Sequence, residues 1–120
     1  MNLMRVMDIT IIREKISNTT LRSYLNNPFP EMVKFVVDIE KKVIALGGEM
    51  HADAEQVLLA DGSEQRNLWG GNIYPDEPSD TLEYSSLINI RPSQNNRAME
   101  VQDEGIRSRI QAIVRQLVAL

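Results

Sequence analysis

An α+β domain with a mostly antiparallel sheet of four to five strands is the fold class that this sequence predicts. Three observations carry it. Two pairs of apolar runs, around residues 33–46 and 68–90, are each joined by turn chemistry as hairpins are. The last 15 or so residues hold a helical apolar stripe that needs a sheet to cover. The order of elements reads β-α-β-β-α-β-β-α, with hairpins at two places, and the helices are expected on one face of the sheet. The 120 residues fit one domain, 1–120, in which residues 1–8 are read as a start-site extension or disordered terminus, since Met1, Met4 and Met7 leave the true start open.

Taken in order, Ile9, Ile11 and Ile12 form a short β-branched run, the first strand. Ser17 then stands as N-cap before TTLRSYLNN, a short helix whose inner side includes Leu21 and Leu25, and NNPFP ends it. Val33, Phe35, Val37 and Ile39 alternate with Lys34, Val36, Asp38 and Glu40, the period of a half-buried strand. EKK supplies a turn, and VIAL returns as the second strand of a hairpin. After Gly47-Gly48, Asp53 has the position of an N-cap with Gln56 three residues on, and Gly62 suits the left-handed end of that helix. LWGGNIYP reads as a strand made pliable by two glycines, and PDEPSD as a connection. LEYSSLINI reads as the clearest strand, with Leu82, Tyr84, Ile88 and Ile90 on one face. Asp103 caps the final helix, whose stripe is Ile106, Ile110, Ile113, Val114 and Leu117.

Composition removes several classes of function. With no cysteine there are no disulfides, zinc–thiolate sites or cysteine nucleophiles, which fits a cytoplasmic location. The net charge is −4 and the largest basic run is Lys41-Lys42, so nonspecific nucleic-acid binding is disfavoured. No stretch approaches the ~20 apolar residues of a membrane span, and the opening segment lacks the apolar core of a signal peptide. There is no phosphate-loop pattern and no GxSxG, and no cofactor is implied.

Two constellations remain. The stretch GEMHADAEQVLL holds the only histidine, His51, followed by Asp53 and Glu55 at alternate positions. These are metal-ligand and acid–base residue types, yet a zinc site needs three or four ligands and no second histidine exists. The local reading is preferred: Asp53 caps, Glu55 sits in the first turn where the helix dipole favours an anion, and no metal is assigned. The second constellation pairs LWGGNIYP with SLINIRPSQNNR as antiparallel neighbours. Trp69, Asn72, Asn89 and Arg91 then border a backbone left uncovered by Gly70-Gly71, and Arg97 follows a turn made by Asn95 and Asn96. With His51 they form the candidate ligand-binding surface. The structural alternative has Trp69 filling the core edge, Asn89 pairing across the sheet, and Arg91 capping a loop or binding Glu83.

The segments VVDIEKKVIALGGEMHADAEQVLLADGSEQRNLWGGNIYP and SLINIRPSQNNR together resemble a family of small uncharacterised prokaryotic proteins, classed as a domain of unknown function. The resemblance covers roughly residues 32 to 118 and rests on HADAE, LWGxNxYP and SLINIRPSQ in order and spacing. It implies that these motifs belong to one shared design, and it lends no activity. Asn95 and Lys42 depart from it, standing at turns where that family commonly has glycine. The expected function is a non-catalytic binding or self-associating module, a homodimer, whose small-molecule or protein partner is open. Sheet edges and the apolar LVAL at the C-terminus motivate the dimer. The rival is a small hydrolase or nuclease-like enzyme, with His51 as base or ligand, Asp53 orienting it and Arg91 stabilising negative charge.

Overall fold

In a computed structural model of the protein, which describes residues 8–120, the apolar runs become five strands and three helices in the expected order. The first strand, β1 (Thr10–Ile12), leads into α1 (Asn18–Arg22), whose cap Ser17 accepts from the Thr20 amide at 3.1 Å. A hairpin follows, formed by β2 (Val33–Asp38) and β3 (Val43–Leu46). Then come α2 (His51–Ala60), β4 (Leu68–Ile73), β5 (Leu82–Glu83) and α3 (Glu104–Leu117). Asp103 caps α3 by accepting from the Ile106 amide at 2.9 Å. The sheet runs β1-β3-β2-β4-β5 with every neighbour antiparallel, which establishes the α+β class. The expectation for residues 1–8 falls, but for Asp8, outside the described residues.

The helices do not share one face, as the sequence had suggested. Val33, Phe35 and Val37 of β2 pack with Ile44, Leu46, Trp69 and Ile73 against Ile110, Ile113, Val114 and Leu117 of α3. The alternate residues Val36, Val43, Ala45 and Leu68 pack on Ala54 and Leu58 of α2. Successive strand residues point to opposite faces, so both sides of the central strands need cover and β2 is not half-buried. Only Lys34 along β2 escapes full burial.

Three further differences have local causes. The helix α2 begins at His51, with Met50 in the cap position, so Asp53 lies inside the first turn instead of capping. The stretch LEYSSLINI is a strand only over Leu82–Glu83; it then leaves the sheet and turns into a short 3-10 helix over Leu87–Asn89. At the C-terminus, Leu117 and Val118 are buried, and the chain is tied to Ile16 by backbone bonds from Ile16 to Leu117 and from Ala119 to Ile16. LVAL is thus part of the fold's own packing.

Lys42 stands in the hairpin turn with φ 59°, where the left-handed backbone costs an L-residue roughly 1–2 kcal/mol. The turn is already held by Asp38, whose Oδ1 accepts the amides of Glu40 and Lys41 at 2.9 Å each. Lys42→Gly is therefore expected to raise unfolding stability by about 0.5–1 kcal/mol after glycine's larger unfolded-state entropy is subtracted. Urea titration of both proteins measures it, and an unchanged or lower midpoint would refute it.

Candidate functional site

Register alone places three polar side chains in a row. Lys34 of β2 is opposite Asn72 of β4, and Asn72 is opposite Glu83 of β5, so all three share the α2 face of the sheet. The Asn72 amide donates to Glu83 Oε1 at 2.7 Å, and the Tyr74 hydroxyl donates to the same oxygen at 3.2 Å. Asn72 Oδ1 is buried and has no hydrogen-bond partner. Turning the amide over would set oxygen against the Glu83 carboxylate, so this orientation is fixed.

The start of α2 closes over that row. Gly70 and Gly71 are what allow the approach: a Cβ on Gly70 would lie 2.8 Å from Ser86 Cβ and 3.2 Å from His51 Cδ2. A Cβ on Gly71 would lie 2.5 Å from the Glu83 carbonyl oxygen and from Phe35 Cζ on the opposite face. His51 Nε2 meets the Gly71 carbonyl oxygen at 2.7 Å. A carbonyl only accepts, so Nε2 carries the proton and Nδ1 is left as an acceptor. Burial holds the imidazole neutral by lowering its pKa to about 4; the bond to Gly71 and the neighbouring Asn72 side chain, which lies beside the ring without forming a well-shaped hydrogen bond, oppose this only in part. At its other end the helix is held by Ser63, whose hydroxyl donates to Asp38 Oδ2 at 2.6 Å. Two buried bonds thus clamp α2 to the sheet.

Between helix and strands lies a cleft of ≈ 360 Å³. Lys34, His51, Asn72, Glu83, Ser85 and Ser86 give it polar walls, Glu49 and Ala52 stand at the helix start, and Met50, Leu87, Ile88 and Met99 add apolar surface. Met50, Leu87 and Met99 are well exposed. Burial lowers the Lys34 pKa, opposed by the nearby Glu83 charge.

Of the surface expected from sequence, the structure brings His51 and Asn72 together in this cleft; Trp69, Asn89, Arg91 and Arg97 are not among its lining residues. Asn89 is fully buried, and its side chain accepts from the Gly70 amide at 2.8 Å and donates to the Gly70 and Met99 carbonyls at 3.0 Å each. Arg91 donates to the Gln65 carbonyl and stacks on the Trp69 ring, 4.0 Å from its centroid. Two of its guanidinium nitrogens and Glu55 Oε2 are buried without partners, and burial lowers the Arg91 pKa against the pull of Glu55. Arg97 is exposed, and its backbone amide donates to Gln102 Oε1 at 3.0 Å. Asp53 is on α2 outside the cleft lining. Among the described residues no group of three or more His, Asp or Glu is placed to hold a metal ion.

Sequence reasoning passed over Lys34 and Glu83. A signal existed: Lys34 is the one cation inside the apolar run MVKFVV, and a strand buried on both faces rarely carries one without a purpose. Its meaning needed the β2–β4–β5 register, which no local pattern contains. No helix among the described residues is long and apolar enough to cross a membrane. No curated protein and no solved structure matches the chain. The model of the family described as Protein of unknown function (DUF5674) matches residues 10–117, spanning the sheet, the cleft and all three helices. The chain belongs to this DUF5674 family.

Proposed function

We propose that the protein is a small-molecule-binding module and that the cleft at the start of α2 is its binding site. Asn72 carries the reading. Its side chain is 5% exposed, its Nδ2 is committed to Glu83, and its Oδ1 is left unpaired in the wall of a cleft. A buried polar atom without a partner costs about 1–3 kcal/mol, a cost that a bound donor would remove. The cleft's volume falls within the ~300–1,000 Å³ of small-molecule sites, and its mix of apolar surface with a few convergent polar groups is typical of them. A hydrolytic role has less support, because Asp53 and Arg91 do not share the cleft with His51 and a base with a pKa of about 4 is weak at neutral pH.

The test is a fragment titration followed by amide NMR. Hits are expected to shift residues 50–52, 72 and 83–87, and Ala52→Trp, which fills the mouth from an exposed helix position, is expected to weaken them at least about tenfold. Hits scattered over the surface, or indifferent to Ala52→Trp, would sink the proposal. A homodimer formed through the exposed Met50, Leu87 and Met99 is the second reading, favoured by that apolar rim. It would show in the same spectra as line widths that fall on dilution.

A further inference from the structure

Granting that the cleft is a binding site, the charges around it define what it would bind. Lys34 and Glu83 flank Asn72 from the two neighbouring strands, about 10 Å apart in backbone position, and no ion pair joins them. Lys34 is partly desolvated, with its ammonium 5.2 Å from the centre of the Phe29 ring, and the Glu83 charge acts on it from nearby without forming a salt bridge. The start of α2, the N-terminal end of a ten-residue helix, also borders the cleft. Two acceptors stand in the same row: the carboxylate of Glu83 and the Asn72 Oδ1 that has no hydrogen-bond partner. Glu49 at the mouth adds a further carboxylate.

A simple anion would leave the acceptors unused, and a simple amine would leave the Lys34 ammonium unengaged. Met50, Leu87, Ile88 and Met99 meanwhile offer an apolar wall beside the polar floor. We infer that the cleft recognises a small zwitterion with an apolar body, an aliphatic α-amino acid. Its carboxylate meets Lys34 and the start of α2. Its ammonium donates to Glu83 and Asn72 Oδ1, and its side chain lies on the methionine and leucine rim. Removing one member of a partly desolvated charge pair weakens binding by at least about tenfold, so each charged end is read strongly.

The experiment compares L-leucine with 3-methylbutylamine and 4-methylpentanoate, which lack its carboxylate and its ammonium respectively, by amide NMR titration up to about 10 mM. Leucine is expected to shift the resonances of Ala52, Asn72 and Glu83 with a Kd at least about tenfold below either analogue. Lys34→Gln should weaken leucine at least about tenfold and leave the amine unchanged; Glu83→Gln should weaken leucine equally and leave the acid unchanged. Glutamine keeps an acceptor for the Asn72 amide, and the spectra themselves report whether each variant is folded. If either analogue binds as tightly as leucine, only one charge is read and the zwitterion is rejected. If none of the three shifts the cleft while fragments do, the amino-acid inference fails and the binding site stands. If fragments also fail there, both fall.

Discussion

Asn89→Ala is expected to lower unfolding stability by about 3–4 kcal/mol, the largest effect of any single truncation away from the apolar core. The side chain is fully buried and makes three bonds, each to a backbone group: the Gly70 amide, the Gly70 carbonyl and the Met99 carbonyl. Truncation leaves the Gly70 amide and the Gly70 carbonyl buried and unpaired at once, while the Met99 carbonyl keeps the Ser86 amide, and buried unpaired backbone groups are costly. Leucine in its place should do no better, because an apolar side chain of similar volume still leaves both Gly70 groups unpaired. Aspartate keeps the acceptor for Gly70 but sets a carboxylate against two carbonyls, and is expected to be worse than alanine. Chemical unfolding of the three variants decides it. Losses below about 1 kcal/mol for all of them would mean that these bonds are readily replaced by water.

His51→Gln is expected to flatten the acid side of the stability curve. The imidazole titrates near its ordinary 6.5 in the unfolded chain and near 4 in the folded one, because burial disfavours its charged form. Between those values the unfolded state binds a proton that the folded state does not. The contribution is therefore complete above pH 6.5 and is lost as pH falls toward 4. At about 1.4 kcal/mol per unit the loss is about 3 kcal/mol. Glutamine can still donate to the Gly71 carbonyl but has no titration. Its stability between pH 7 and pH 4 should thus fall by about 3 kcal/mol less than that of the unsubstituted protein. Parallel curves for the two proteins would show that His51 is not held neutral by burial. Comparison within the pair removes the carboxylates, which titrate alike in both.

What was legible in the sequence was local. The cap at Ser17, the cap at Asp103, the stripe along α3 and the hairpin of β2 and β3 each depend on residues within a few positions of one another. What was not legible depended on partners far along the chain. The helix α2 fully buries only Ala54 and Leu58 of its apolar residues, too few to announce that it covers a second face of the sheet. Its start was misplaced because Asp53 had the composition of a cap, whereas His51 is held at the helix start by a carbonyl 20 positions away. The run ending in LINI alternates like a strand, yet at Gly70 the bonds a strand would have made come from the Asn89 side chain. For the cleft, His51 and Asn72 were visible by residue type. Lys34 and Glu83 became visible only through pairing register, which is a property of the assembled sheet.

The amide of Asn89 also limits what the sheet can become. A strand that pairs with its neighbour carries a second row of donors and acceptors on its far edge, ready to recruit another chain. A side-chain amide does not. Asn89 spends its oxygen on the Gly70 amide, one N–H on the Gly70 carbonyl and the other on Met99. Nothing is left to hand outward. Beside a β5 of two residues, the sheet is thus finished at this margin by a plug with no free face, a defence against fibrillar growth and strand exchange made from a single residue.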